Sequence, residues 1–301
     1  MKIFITGKNG QVGFDLLRAL SPLGDVYSFS SLECNLGNEE QLRKLIKEIR
    51  PNIIVNAAAY TDVDKAEEQS DLAYAINSRG VRIIAQEAEK LNSIVIHYST
   101  DYVFDGSKSG PYTEDDEPNP QNVYGASKYA GELELLNNCS RSIILRTTWV
   151  ASAHGNNFLK TILKLSFEKD ELKVISDQKG APTSSSLIAD FTAHIIHIIT
   201  RPNDEKNSYY GLFHLASSGF TSWYSYAAFV VSKARELGIK TKINVDCIYP
   251  IKSKEYITPA VRPMNSCLNT EKIRSTFNLK IPEWESEVKN ILLQIKKTKY
   301  D

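Results

Sequence analysis

No stretch of the 301 residues is apolar over the roughly 18 positions that a membrane-spanning helix requires. Cysteine is sparse. Cys34, Cys139, Cys247 and Cys267 stand apart with no Cys-x-x-Cys pair, which indicates neither a disulfide framework nor a zinc site. An excess of either charge is also missing, since 36 Lys and Arg face 36 Asp and Glu. A nucleic-acid or membrane-surface binder normally carries a basic excess, so neither partner is expected. The opening Met1–Gly7 holds too short an apolar run for a signal-peptide core. There is no internal repeat and no low-complexity tract. With 42% hydrophobic and 24% charged residues, the composition is that of an ordinary soluble, cytoplasmic chain. At about 150 residues per domain, its length predicts two lobes.

What is present is an alternation. Lys2–Thr6 is rich in β-formers, and Gln11–Leu20 sets Val12, Leu16, Ala19 and Leu20 at helical spacing. Val26–Phe29 reads as a second strand. Asn38–Gln41 has the form of a capping box opening a helix to Ile49. Asn52–Ala58, after Pro51, is the continuous apolar run of a strand buried on both faces. Leu72–Leu91 is expected as a helix, Ile94–Ser99 as a strand, Val123–Leu136 as a helix and Ser142–Arg146 as a strand. Such alternation predicts an α/β fold with a Rossmann-type, doubly wound parallel sheet. Beyond Trp149 the rhythm loosens. Helical patterns at Phe158–Phe167, Leu187–Thr200 and Trp223–Leu237 interleave with short strands at Leu172–Ile175 and Leu212–Leu215. Loops are expected at Pro202–Ser208 and Pro250–Pro263. A second, smaller α/β domain follows from this: 1–148 forms the first unit and 149–301 mainly the second. Segments at about 172–200 and 212–237 are expected to return to the first.

Gly7-Lys-Asn-Gly10-Gln-Val-Gly13 lies between the first strand and the first helix. The glycines permit a tight turn, close approach of a pyrophosphate and close packing of helix on strand. The positive end of the helix then faces the phosphates. A bare glycine pattern is weak, but its place in the first βα unit points to a dinucleotide site. Tyr124-Gly-Ala-Ser-Lys128 sets a tyrosine and a lysine on one helix face. With 15 tyrosines in the chain such a string also arises by chance, as a surface pair. Placement argues otherwise, because Thr100 ends a strand whose tip faces the expected crevice. Reducing a ketone by hydride transfer leaves an alkoxide that needs a proton. Tyrosine at its free pKa of about 10 is a reluctant donor, which a neighbouring ammonium improves by stabilising the phenolate. The same ammonium can hydrogen-bond the nicotinamide ribose, and Thr100 can hold the carbonyl oxygen against Tyr124.

Further segments follow in order: Asn56–Glu67, His97–Gly106, Arg146–Val150, Gly155–Phe158, Asp177–Thr183 and Arg262–Ser266. With the glycine loop and Val123–Lys128, they make the chain resemble the extended short-chain dehydrogenase/reductases over nearly its whole length. Within them it resembles the dTDP-4-dehydrorhamnose reductase family. The resemblance implies an NADPH-dependent oxidoreductase acting on a dTDP-keto-sugar. It would reduce the 4-keto group of dTDP-4-dehydro-β-L-rhamnose to give dTDP-L-rhamnose for cell-surface polysaccharide. It further implies that Gly10, Gln11 and Val12 meet the pyrophosphate, with Gly7 and Gly13 shaping the loop. Ala59, Tyr60, Thr61 and Tyr98 would line the cofactor further along. Thr100 and Asp101 would contact the sugar, Tyr124 would supply the proton, and Lys128 would organise ribose and tyrosine. Trp149 would shape the sugar pocket, and Arg262 would meet the diphosphate, which suits a guanidinium fork. A homodimer and Mg2+ at subunit contacts follow from the resemblance alone. The Ser184–Ser186 run offers no carboxylate for the ion, and no metal ligand is assigned.

Cofactor choice is read from the second strand, which ends at Ser30 and Ser31. No carboxylate is expected there to repel a 2′-phosphate, and no arginine to grip it, so a modest NADPH preference with NADH still usable is predicted. Asn35, beside Leu36, stands where relatives often carry Asp and would meet the adenine amino group. Other readings stay open: a reductase giving the opposite configuration (6-deoxy-talose), an epimerase or dehydratase, and a non-catalytic regulatory subunit. The stretch Thr100-Asp101-Tyr102 lacks the glutamate a dehydratase needs, and the presence of Thr100, Tyr124 and Lys128 disfavours the regulatory reading. His194 and His197 lack a third ligand and read as ordinary helix histidines. Glu114–Glu117 reads as a solvated acidic edge.

Overall fold

Runs of Ile, Val and Leu build the strands Lys2–Thr6 (β1), Ile53–Asn56 (β3), Ile94–Thr100 (β4) and Ser142–Thr147 (β5), all almost wholly buried. Asp25–Phe29 (β2) is half exposed, as an edge strand should be. The computed structural model describes residues 1–201 and 209–299. The Pro202–Ser208 loop lies outside the described residues. A six-stranded sheet runs in the order Gly211–His214, β5, β4, β3, β1, β2, with every pair parallel. After β2 the chain crosses to the far side of β1 to form β3. That reversal opens a crevice at the carboxyl ends of β1 and β3, where open α/β sheets hold their ligands.

Helices cover both faces. Gln11–Leu20 (α1) and the helix Ser185–Thr200 bury Leu16, Leu20, Ile188 and Ile195 on one side, joined by Ile273 and Phe277. Glu39–Ile49 (α2), Gly80–Leu91 (α5) and Val123–Asn138 (α6) bury Leu42, Ile46, Val81, Ile84 and Leu135 on the other. A separate apolar cluster joins the helices Phe158–Glu168, Trp223–Glu236 and Trp284–Lys299 through Leu159, Val230 and Leu292. The strands Leu172–Ile175 and Ile248–Ile251 pair in parallel and add Leu172, Val174 and Ile248 to it. The stretches expected to return to the first unit therefore divide. Ser185–Thr200 and Gly211–His214 join the large sheet, whereas Leu172–Ile175 and Trp223–Glu236 pack in the second cluster.

Several local readings need correction. The expected strand Asn52–Ala58 stops at Asn56, and the next residues turn into the crevice. The expected helix Leu72–Leu91 is broken into Ser70–Tyr74 (α4), a π-helical turn Ala75–Arg79, and α5, and a separate short helix Val63–Glu68 (α3) precedes it. Buried Asn77 explains the widened turn: it accepts the Tyr60 N–H and donates to Tyr60 O and to Ser127 Oγ. Such turns frequently mark functional sites. The capping box is half made, since Asn38 accepts from the Gln41 N–H while the Gln41 side chain serves the Asn35 N–H instead. Ile248–Ile251 is strand where a loop from Pro250 was expected. Glu114 is no solvated edge; it accepts the His214 N–H at 2.8 Å and pins its loop to the sheet.

Candidate active site

The glycine loop is compact for steric reasons. Gly7 has φ +75°, and a Cβ there would stand 2.8 Å from the Ala57 backbone; a Cβ on Gly13 would stand 2.0 Å from Gly7 O. Gly10 opens α1 without a side-chain cap. The first-turn N–H groups of α1 therefore point at the crevice with no side chain satisfying them. A cavity of about 370 Å³ lies there. Gly7, Gly10, Gln11 and Val12 line one part, Ser30, Ser31, Asn35 and Leu36 another, and Ala59, Thr61, Tyr98, Tyr124 and Lys128 are among the remaining lining residues. An uncapped helix end, a cradle of glycines and a cationic side chain in one cavity fit a dinucleotide cofactor.

α6 carries the chemistry. Asn122 caps it through the Gly125 N–H at 2.8 Å, which holds Tyr124 and Lys128 on its first turns facing the cavity. Lys128 is buried, and Nζ donates to Tyr98 O at 2.6 Å and lies 3.2 Å from His97 Nε2. Burial lowers this ammonium to about 8, partly offset by Glu132. Tyr124 departs from the sequence reading. Burial pushes its phenol up to about 12; a hydrogen bond with Thr100 offsets part of this and the Asp101 charge adds to it. The ammonium that was to lower it is turned toward Tyr98 and His97. Thr100 donates to Asp101 Oδ1 at 3.1 Å, and burial raises the Asp101 carboxyl to about 6.

A family model, the RmlD substrate binding domain, matches residues 1–297. The dTDP-4-dehydrorhamnose reductase of Escherichia coli (strain K12) is 46% identical over 299 residues, 98% of each chain. That of Salmonella typhimurium is 43% identical over 302 residues, again 98% of each. The chain belongs to the dTDP-4-dehydrorhamnose reductase family. Among solved structures, the Bacillus anthracis dTDP-4-dehydrorhamnose reductase in complex with NADP superposes with a TM-score of 0.89 at 35% identity, covering 97% of this chain and 99% of that one. UDP-glucose 4-epimerase of Thermotoga maritima, at 16% identity and TM-score 0.78, covering 99% of each chain, shares the fold alone.

Not every residue expected from the dTDP-4-dehydrorhamnose reductase resemblance lies in the cavity. Gly13 is buried behind the loop. Tyr60 turns away, its hydroxyl donating to Gln69 Oε1. Trp149, at φ 46°, stacks on Trp223 with ring centroids 3.5 Å apart and covers Gly180. Arg262 is engaged already, in a two-pronged pair with Asp64 of α3 at 2.7 and 3.0 Å. A second cavity of about 790 Å³ lies between Gly106–Pro111, residues 176–179, Phe220–Ser225 and residues 264–267, where the sequence suggested no site.

The ribose end also corrects the sequence reading. A carboxylate does stand there: Glu33 folds back to accept the Ser30 N–H at 2.8 Å and the Ser30 hydroxyl at 2.7 Å. Lys8, from the glycine loop, pairs with the same carboxylate at 2.7 Å. These contacts hold the Glu33 carboxyl at about 2, Lys8 contributing most. Its position twenty residues past Gly13 was the available signal, since dinucleotide sites often carry a carboxylate at that remove. His97 and Asn77 carried no signal, because their contacts are tertiary. Among the described residues, no group of three or more His, Cys, Asp or Glu is placed to hold a metal ion. No helix among them is long and apolar enough to cross a membrane.

Proposed function

We propose that this chain reduces the 4-keto group of dTDP-4-dehydro-β-L-rhamnose with NADPH, giving dTDP-L-rhamnose for cell-surface polysaccharide, in the cytoplasm. The observation that carries the reading is Tyr124 sharing one cavity with Lys128 and the glycine loop. Gly10, Gln11 and Val12 receive the pyrophosphate at the open end of α1. The bound nicotinamide supplies the hydride. Tyr124 holds its proton firmly at neutral pH and delivers it to the oxygen that gains charge, while Thr100 fixes that oxygen. Lys128 keeps one donor for the ribose. Asp101 and Trp149 border the sugar, and Arg262 exchanges Asp64 for the diphosphate.

The test is incubation with the 4-keto sugar nucleotide and NADPH, with the product sugar identified by NMR. Tyr124→Phe keeps the ring and removes the donor, so turnover should fall about 100-fold or more while NADPH still binds. Near-normal turnover in that variant overturns the assignment.

A further inference from the structure

His97 stands within β4 with no exposure to solvent, level with Asn56 on β3 and Ile144 on β5. Its Nε2 is 3.2 Å from Lys128 Nζ, and its Nδ1 is 2.9 Å from Asn56 Nδ2. Asn56 accepts from the Thr6 hydroxyl at 2.5 Å, and Thr6 accepts from the Ala58 N–H at 3.2 Å. Thr6, Asn56, His97 and Lys128, none more than 2% exposed, thus form one chain across β1, β3, β4 and α6.

Lys128 needs such a partner. An ammonium has three donors. One goes to Tyr98 O, a second faces His97, and the third is left for the cavity. Glu132, one turn further along α6, acts on Lys128 through space, because both its oxygens are held by Arg146 of β5 at 2.8 and 2.6 Å. Burial and the Lys128 charge keep the His97 ring neutral. A neutral ring has one accepting and one donating nitrogen. When Lys128 is charged, Nε2 accepts from Nζ, the ring proton sits on Nδ1, and the Asn56 amide turns over to offer its oxygen to it, its amino group then facing the Thr6 hydroxyl. When Lys128 is an amine, Nε2 donates to Nζ, and Nδ1 accepts from the Asn56 amino group, leaving that oxygen for Thr6. The chain has one polarity for each state of the lysine.

We propose that His97 is a positioning residue for the reduction: it fixes the Lys128 side chain and, through the Thr6–Asn56–His97 chain, sets when that lysine carries its proton. This rests on the roles given above to Tyr124 and Lys128. Lysine-selective 13Cε NMR of the ligand-free protein follows the Lys128 titration without turnover. In His97→Leu the acceptor is gone, and the titration should fall by about one pH unit from its value near 8. The alkaline limb of kcat should move with it, leaving kcat roughly tenfold lower above that pH. KM for the sugar nucleotide should hold. His97→Gln places an uncharged carboxamide within reach of Nζ and should restore both readouts toward wild type. A folded His97→Leu protein with unchanged Lys128 titration and unchanged kcat limb overturns the proposal. Equal losses in both variants, at every pH and with lowered thermal stability, overturn it too and leave His97 a core residue. A shifted Lys128 titration in a protein whose turnover ignores Tyr124 supports the His97 link and overturns the catalytic reading instead.

Discussion

Glu33 and Lys8 lie beside Ser30 of the cavity, and under the proposed function they set the charge that the cofactor's adenosine ribose meets. With a 2′-hydroxyl, the Glu33 carboxylate is a ready acceptor; with a 2′-phosphate it repels, and Lys8 and the two Ser30 donors must be shared. Glu33→Gln should therefore raise the ratio of NADPH to NADH affinity by roughly threefold, as befits an exposed pair, and Lys8→Met should lower it. Fluorescence titration of both cofactors reads the ratio; no change in either variant places the ribose elsewhere. Asp101 presents a buried case. Its carboxyl rises from 3.8 to about 6, so once folded and unfolded states are both ionised the fold bears a cost of about 3 kcal/mol. The sign follows: the cost is present above pH 6 and vanishes once both states are protonated, below about pH 4. Asp101→Asn should melt higher than wild type at pH 7 to 8, with the gap closing as pH falls. A gap independent of pH would trace to packing instead.

At the scale of elements, α6 is held in place by what its glycines lack. A Cβ on Gly125 would stand 2.1 Å from Tyr102 O, and one on Gly131 2.0 Å from Asn77 O, both backbone atoms. Gly125→Ala must displace the turn that carries Tyr124 and Lys128. Turnover should fall tenfold or more, and stability by about 1–3 kcal/mol on denaturant unfolding. Gly110→Ala, where a Cβ meets nothing within 4 Å, is the control and should change neither. These contacts also mark how far the sequence is legible. β3, β4 and β5 announce themselves because strands buried on both faces must be apolar throughout. The Tyr124–Lys128 pair is legible because both residues lie on one helix within five positions. The π-helical turn is not, since it exists to let Asn77 reach Tyr60 and Ser127. Ile248–Ile251 hides as a loop because Pro250 and an exposed Tyr249 are tolerated on a two-stranded edge. Glu33 is legible only by its distance from Gly13.

Over the whole molecule, residues that follow Trp149 reach across the crevice beside the glycine loop and at α3. Asn157 donates to Gln11 Oε1 beside the glycine loop, and Arg262 grips Asp64 on α3. Asp64 also accepts the Ala260 N–H, and Asn122, which caps α6, donates to Val261 O. The segment bearing Arg262 is thus tied to the helix bearing Tyr124. Arg262 and Asp64 keep 25% and 36% of their side-chain surface in solvent. Such a screened pair contributes at most about 1 kcal/mol to stability, and Arg262→Ala should unfold at nearly the wild-type denaturant concentration. Its effect on the substrate should be much larger. If the guanidinium exchanges Asp64 for the diphosphate, its loss should weaken sugar-nucleotide binding by about 1.5–3 kcal/mol, leaving NADPH affinity unchanged. Asp64→Asn removes the competing carboxylate and should tighten sugar-nucleotide binding several-fold. Calorimetric titration of each ligand against each variant separates these outcomes. A loss shared equally by both ligands in Arg262→Ala, with weaker sugar-nucleotide binding in Asp64→Asn, would mean that the pair only holds the two lobes in register and that the diphosphate is gripped elsewhere.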